Sequence, residues 1–170
     1  MSRKTAVFLI FTSIFMLTSQ ALPDENLESV KRLFNAQEYD DAIRLVKKVT
    51  EEQPSNVEAW LLLGDCYASL GKNEEAISAY QKVIRINPEH VDAPFRVGVI
   101  FTRLGQHSNA IEAYKQVVRI QPEHAQAHFY LGMSYDSIGR IGRAFEHYKI
   151  LKTLDKNLAD ELYKVILGSP

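Results

Sequence analysis

The chain has a single cysteine and no excess of basic residues. One cysteine, Cys66, excludes a disulfide bond within the chain. Because Cys66 lies in an apolar stretch, residues 61–67, it is interpreted as a small buried hydrophobic residue rather than a reactive or pairing thiol. The 20 basic and 21 acidic residues give a net charge of −1, whereas nucleic-acid binding is typically signalled by a basic stripe. The composition therefore predicts no nucleic-acid partner.

The apolar segment near the start of the chain, residues 6–17, is too short for a transmembrane helix, which takes about 20 residues. It follows a short basic start and precedes small residues at Ser19 and Ala21, which is the pattern of a signal-peptide cleavage site. We therefore predict that residues 1–21 are a signal peptide and that the protein is exported. It would be periplasmic in a bacterium with two membranes and secreted otherwise. The alternative is an uncleaved leader that anchors the chain to a membrane through residues 6–17.

Glycine and proline are scarce, with 8 and 6 residues in the chain, but most of them recur at one fixed spacing. Three series of these residues, and one of alanine, repeat every 34 residues. The series are Gly64, Gly98 and Gly132; Gly71, Gly105 and Gly139; Pro54, Pro88 and Pro122; and Ala42, Ala76, Ala110 and Ala144. A period in this range indicates stacked supersecondary units, each of which needs its neighbours to cover its apolar face.

Within one period, residues 57–90, two helical patterns flank a turn. Apolar and aromatic residues recur there at three- and four-residue steps, which places them on one face of each helix. They are Trp60, Leu63, Gly64 and Tyr67 in the first pattern, and Ala76, Ile77, Tyr80, Val83 and Ile84 in the second. Gly71 supplies the break between the helices, and Pro88 ends the unit. The small residues Gly64 and Ala76 predict a close approach of the two antiparallel helices.

These residues resemble the tetratricopeptide repeat (TPR), whose pattern is an early Trp, a Leu-Gly pair, a Tyr, an Ala, an aromatic residue and a closing Pro. The matching residues are Trp60, Leu63, Gly64, Tyr67, Ala76, Tyr80 and Pro88. The resemblance implies an all-α fold, a right-handed α-solenoid of about four TPR helix-turn-helix units with a C-terminal capping helix. The predicted segments are a degenerate first unit at 22–56, units at 57–90, 91–124 and 125–158, and a capping helix and tail at 159–170.

The other copies keep part of this pattern and depart from it at several positions. Pro94 and His128 stand where the second unit has Trp60, and residues 155–157 replace the closing proline of the fourth unit. In the first unit Val30 replaces the glycine, which predicts a looser approach of its two helices or a shifted register. Terminal units commonly differ in such arrays because one side of them faces water.

The resemblance also implies that the first helix of each unit lines a concave groove. Residues that the helix pair itself does not use form rows along this groove, one of them Leu61, Phe95 and Phe129. Such an apolar row favours a protein-binding surface. The candidate groove residues are Leu61, Asp65, Phe95, Arg96, Val99, Thr102, Phe129, Met133 and Asp136, with Arg103 and Lys31 near the rim. The predicted function is a non-enzymatic adaptor that binds a peptide or helix of another exported or envelope protein.

Three alternatives remain open. The groove residues could instead cover one another and the adjacent helices. An exported metal-dependent or catalytic protein could use the histidines, since His124 and His128 are four residues apart on one helix face. However, no third ligand is evident, and neither His107 nor His147 has a suggestive neighbour, so we predict no metal, no cofactor and no catalytic residue. Finally, exposed repeat faces could bind a second copy, giving a self-assembling homo-oligomer.

Overall fold

The helices of the protein follow the predicted repeat. A computed structural model describes residues 22–168, and within this range it has nine helices and no strand. They are α1 (Leu22–Asn35), α2 (Tyr39–Glu52), α3 (Val57–Ser69), α4 (Asn73–Ile86), α5 (Asp92–Arg103), α6 (His107–Ile120), α7 (Ala125–Ser137), α8 (Ile141–Leu154) and α9 (Lys156–Ile166). Helices α1 to α8 pack as four consecutive pairs, here called units one to four. The expected all-α solenoid is confirmed.

The predicted signal peptide, residues 1–21, lies outside the described residues, so its cleavage and its use as an anchor stay predictions. Among residues 22–168, none of the helices combines the length and the apolar character needed to cross a membrane.

The turn inside each unit depends on one residue with a positive φ angle. Gly71, Gly105 and Gly139 have φ values of 70°, 69° and 73°, a left-handed conformation that glycine adopts without steric cost. Gln37 stands one period before Gly71 and has a φ of 62°. A residue with a Cβ atom takes on about 1–2 kcal/mol of strain in this region. The degenerate first unit therefore keeps the turn geometry although it has lost the glycine.

The two helices of a unit meet where an aromatic ring lies against a glycine. In unit two the ring of Tyr80 packs on Gly64, and in unit three the ring of Tyr114 packs on Gly98. A Cβ atom added to Gly98 would lie 2.6 Å from Cε1 of Tyr114, closer than carbon atoms can approach. The close approach at these glycines is thus between the backbone of the first helix and a tyrosine ring of the second helix. In unit one, Val30 is fully buried in the corresponding place.

Side chains at the connections between units cap the first helices. The Asn56 Oδ1 atom accepts a hydrogen bond from the Ala59 amide at 3.0 Å. One period later His90 Nδ1 accepts from the Ala93 amide, and after another period His124 Nδ1 accepts from the Ala127 amide, both at 3.2 Å. Each cap satisfies a backbone amide that the first turn of a helix leaves unpaired. The repeated Pro-Glu-His segment therefore has a structural role at helix starts.

The last connection is much shorter than the others. Four or five residues separate the earlier units, but Asp155 alone lies between α8 and α9. Its carboxylate accepts from the amides of Asn157 and Leu158 at 2.9 and 3.1 Å, so α9 starts at once. This turn brings α9 against α7 as well as α8, and Leu162 packs on Gly132. In unit four, a leucine of α9 thus takes the place that a ring of the second helix takes in units two and three.

We expect Gly98→Ala to lower the free energy of unfolding by about 1–3 kcal/mol, since the added methyl group overpacks the interface with a fully buried ring. Urea denaturation followed by circular dichroism measures the change. Gly142→Ala is the control, because nothing lies within 4 Å of its added Cβ and alanine favours a helix by up to about 1 kcal/mol. Equal losses in the two variants would contradict the role assigned to the ring contact.

Candidate functional site

A cavity of about 450 Å³ lies among three consecutive first helices. Its wall comes mainly from α5, with Ala68 of α3 on one side and Gln126 of α7 on the other. The lining residues are Ala68, Tyr80, Asp92, Phe95, Arg96, Val99, Ile100, Arg103, His124 and Gln126. We call this space the first-helix cavity. It brings together Phe95, Arg96 and Val99 of the predicted groove residues, and the predicted rim residue Arg103.

Phe95 forms the aromatic wall of the first-helix cavity. Its ring is half-buried and stacks on the His124 ring at a centroid distance of 5.1 Å. It also contacts Tyr114 at 5.7 Å and Tyr130 at 5.8 Å. Tyr130 in turn stacks on Tyr114 at 5.3 Å with an interplanar angle of 11°. These contacts hold the Phe95 ring in one orientation, so its exposed edge is a preformed apolar surface.

Sequence reasoning missed two members of this aromatic cluster, Tyr130 and His124. Tyr130 stands one period after Arg96, a predicted groove residue. His124 stands one period after His90, and both histidines cap a first helix. The 34-residue period thus carried the signal for Tyr130, whereas the stacking of His124 on Phe95 depends on how neighbouring units are oriented.

Asp65 and Arg96, both predicted groove residues, bind each other. The Tyr80 hydroxyl donates to Asp65 Oδ1 at 2.6 Å, and Arg96 donates to the same oxygen at 2.8 Å. Burial raises the pKa of the Asp65 carboxyl, against the opposing effects of the Tyr80 hydrogen bond and the Arg96 charge. Asp65 is therefore a bridge from unit two to unit three. Arg96 remains half-exposed at the cavity.

The equivalent bridge is absent from unit three, because Val99 stands where unit two has Asp65. The Tyr114 hydroxyl lies 3.2 Å from Thr102 Oγ1 instead. Thr102 itself donates to the Gly98 carbonyl oxygen at 3.0 Å. The predicted groove residue Thr102 therefore satisfies a neighbouring side chain and its own helix, while Val99 leaves an apolar wall in the cavity.

The predicted apolar row does not continue into unit four. Phe129 is only 8% exposed, since it packs in a cluster with Leu151, Ala159 and Leu162. Met133 packs against the same cluster. The physical reason is the short connection at Asp155, which brings α9 over this part of α7. Phe129 is thus buried beneath α9 and unavailable as a contact residue in this structure.

The remaining predicted residues also lie outside the first-helix cavity. Leu61 packs against the core between units two and three, whose members include Ala93 and Val97. Asp136 is half-buried near the end of α7. Leu61 therefore covers an adjacent helix, as the alternative to a free groove surface predicts.

The histidines do not converge as a metal site. His124 caps α7 and faces Phe95, whereas His128 is buried and faces His147. Among the described residues, no group of three or more His, Cys, Asp or Glu side chains is arranged to hold a metal ion. The two histidines four residues apart are therefore engaged in separate contacts.

The statement that His147 has no suggestive neighbour is wrong. His147 Nδ1 lies 2.9 Å from His128 Nδ1, and His128 Nε2 lies 2.8 Å from the Pro122 carbonyl oxygen. A carbonyl only accepts, so His128 Nε2 carries a proton; in neutral His128 the Nδ1 atom then accepts from His147 Nδ1. Burial and the neighbouring His128 lower the pKa of His147 to about 4. The pair fastens α7 to α8.

A signal for this pair was present in the repeat. The positions equivalent to 128 and 147 are Trp60 and Ala79 in unit two, and Pro94 and Ala113 in unit three. Both of those pairs line cavities of about 420 Å³ each. In unit four the histidine pair thus stands at the positions that line a cavity in units two and three.

Stacked helix pairs with this turn and ring-on-glycine geometry define an α-solenoid built from helical repeats. A tetratricopeptide-repeat family model matches residues 27–91, and a second model, described as a TPR repeat, matches residues 98–139. The chain is a TPR protein.

Solved structures of MamA are similar to this chain. One crystal structure of MamA has a TM-score of 0.75 at 25% identity, and the match covers 85% of each chain. Another, MamA AMB-1, has a TM-score of 0.71 at 25% identity over 90% of this chain and 87% of the other. No curated protein matches the sequence. The TPR repeats and these neighbours support a protein–protein interaction scaffold.

We expect the stability of the protein to fall as the pH drops from 6.5 towards 4, because the unfolded chain takes up a proton at His147 that the folded chain excludes. The loss attributable to this group is on the order of 2–3 kcal/mol. Urea denaturation at a series of pH values measures it. His147→Ala, which introduces the residue found at positions 79 and 113, should flatten this part of the profile. An unchanged profile in the variant would contradict the assignment.

Proposed function

We propose that the protein is a non-enzymatic adaptor whose first-helix cavity binds an apolar segment, a peptide or a helix, of another exported or envelope protein. The observation that carries this proposal is the cavity of about 450 Å³ spanning three consecutive first helices. Ligand sites of this size are typically concave and apolar, with a few polar groups that fix orientation. TPR arrays and the MamA-like fold are also typical of non-catalytic interaction modules.

The lining of the cavity indicates what such a segment would carry. Phe95, Val99 and Ile100 offer an apolar wall, which suits one aliphatic or aromatic anchor. Arg96 and Arg103 lie on the same wall. The Arg103 guanidinium donates to Asn73 Oδ1 at 2.9 Å, which holds its position near the cavity. A backbone carbonyl or a carboxylate next to the anchor would accept from these guanidinium groups.

The first prediction of this proposal concerns the cavity wall. We expect Val99→Asp and Arg103→Ser each to weaken partner binding by about tenfold or more, since they remove an apolar contact and a charged donor. Both substitutions introduce residues that the array already carries one period away, Asp65 and Ser69, so the fold should be retained. Affinity capture from an extract of the source envelope identifies the partner, and calorimetry with the isolated partner segment measures the affinity.

The matched control is Asn109→Glu. Asn109 lines a different cavity, the one bordered by Pro94 and Ala113, and Glu75 stands one period before Asn109. Unchanged binding is expected for this variant. Equal binding by wild type, Val99→Asp and Arg103→Ser would place the partner elsewhere. Phe129→Ala is unsuitable for this test because it would open a hole in a buried cluster.

Export is the second part of the proposal. The protein is proposed to reach the periplasm of a bacterium with two membranes, or otherwise the medium, after loss of residues 1–21. Supporting this are the basic start, the apolar segment and the small residues at Ser19 and Ala21. Mass spectrometry of the protein isolated from its source should find Leu22 at the amino terminus. Intact protein beginning at Met1 in the membrane fraction would favour the anchor, and Ala21→Tyr should block cleavage in the first case.

A further inference from the structure

A stripe of side chains along α5 lines the first-helix cavity from one end to the other. The stripe consists of Asp92, Phe95, Arg96, Val99 and Arg103, at three- and four-residue steps that place them on one face of the helix. The positions of Asp92 and Arg103 differ by eleven residues, which is about 16 Å along the helix axis. The cavity therefore has an acidic side chain at one end and a basic side chain at the other.

The negative charge of Asp92 is not neutralised by a partner. Glu58, one period earlier, pairs with Lys31 of the preceding unit at 2.8 Å, but the position equivalent to Lys31 is the acid Asp65 for Asp92. Arg96 stands four residues after Asp92 and donates to Asp65 instead. Besides burial, the charge of Asp92 raises the pKa of the Asp65 carboxyl. Among the residues whose side chains are described, none forms an ion pair with Asp92.

The positive charge of Arg103 is not neutralised either. Its guanidinium donates to Asn73 Oδ1 at 2.9 Å, and this neutral amide fixes the position of the group without cancelling its charge. Four residues earlier on α5, where an acid could pair with it, stands Val99. In the part of the chain with described side chains, no acid forms an ion pair with Arg103. This end of the cavity thus presents a free cation.

The helix dipole alone does not account for the two charges. An acid in the first turn and a base in the last turn suit the dipole of α5. The first helices on either side form without this pair, however, since α7 has Gln126 and Ser137 at the equivalent positions and α3 has Ser69 at the second of them. Asp92 and Arg103 are both exposed and border the same cavity. Opposite charges at the two ends are therefore a feature of this cavity.

We propose that the first-helix cavity binds a protein segment that carries one basic and one acidic residue on either side of an apolar anchor. This partner class rests on the proposed function, in which the same cavity is the binding site. The basic residue lies at Asp92, the anchor lies against Phe95 and Val99, and the acidic residue lies at Arg103. A span of about 16 Å corresponds to about five residues of an extended segment or about eleven of a helix. Complementary charges at both ends fix the register of the segment and disfavour segments with two charges of one sign.

Peptide selection on the full chain tests the proposal. Random peptides of about 16 residues, long enough for an eleven-residue helical span, are displayed on phage and selected on the immobilised protein. We expect the enriched peptides to carry a basic and an acidic residue about five or about eleven positions apart, with an apolar residue between them. Replacing the basic residue of such a peptide with Ala should weaken its binding to the wild type about fivefold, as measured by fluorescence anisotropy.

Two variants assign each charge of the peptide to one end of the cavity. Asp92→Gln introduces the residue found at position 126, and Arg103→Ser introduces the residue found at positions 69 and 137. In Asp92→Gln the basic residue of the peptide should no longer contribute to binding, while its acidic residue still does; Arg103→Ser should show the reverse. Glu75→Gln and Arg85→Ser are the matched controls, because both residues border other cavities on the second-helix side. Binding should be unchanged in these two variants.

Failure of the proposal is distinguishable from failure of the proposed function. Enriched peptides without the paired charges would overturn the proposal and leave the cavity as the binding site. A basic residue that contributes equally to binding of the wild type and of Asp92→Gln would do the same. A library that yields no binder, or binders that keep their full affinity for Val99→Asp, would contradict the proposed function and this proposal together.

Discussion

The contact of an aromatic ring with a glycine determines how the helix pairs of units two and three, the middle of the array, are built. Tyr80 packs on Gly64 and Tyr114 on Gly98, at a distance that no side chain would allow. In unit two the Tyr80 hydroxyl donates to Asp65 of the same unit, and Asp65 accepts from Arg96 of unit three. In unit two the ring thus sets the spacing of the helix pair and holds Asp65, which links the unit to unit three, whereas the Tyr114 hydroxyl contacts Thr102 within unit three. Interiors packed this closely leave little freedom for alternative arrangements.

The length of one connection decides how the two ends of the array differ. Four or five residues between units place the next first helix beside the previous one, but Asp155 alone lies between α8 and α9. The resulting position of α9 buries Phe129 and puts Leu162 on Gly132. It also brings the Tyr163 ring of α9 against the Phe145 and Tyr148 rings of α8. The short turn at Asp155 therefore buries one predicted contact residue, Phe129.

The 34-residue period predicted the helix pairs and the glycine turns, because these follow from local conformation and from packing inside a unit. It did not predict that Asp65 pairs with Arg96, since that contact depends on the rotation between neighbouring units. It also did not predict the burial of Phe129, which depends on where α9 lies. The His128–His147 pair spans two helices of one unit, at positions that the period relates to Trp60 and Ala79. Gln37 is the opposite case: the left-handed turn is kept, although the glycine that predicts it in the other units is absent.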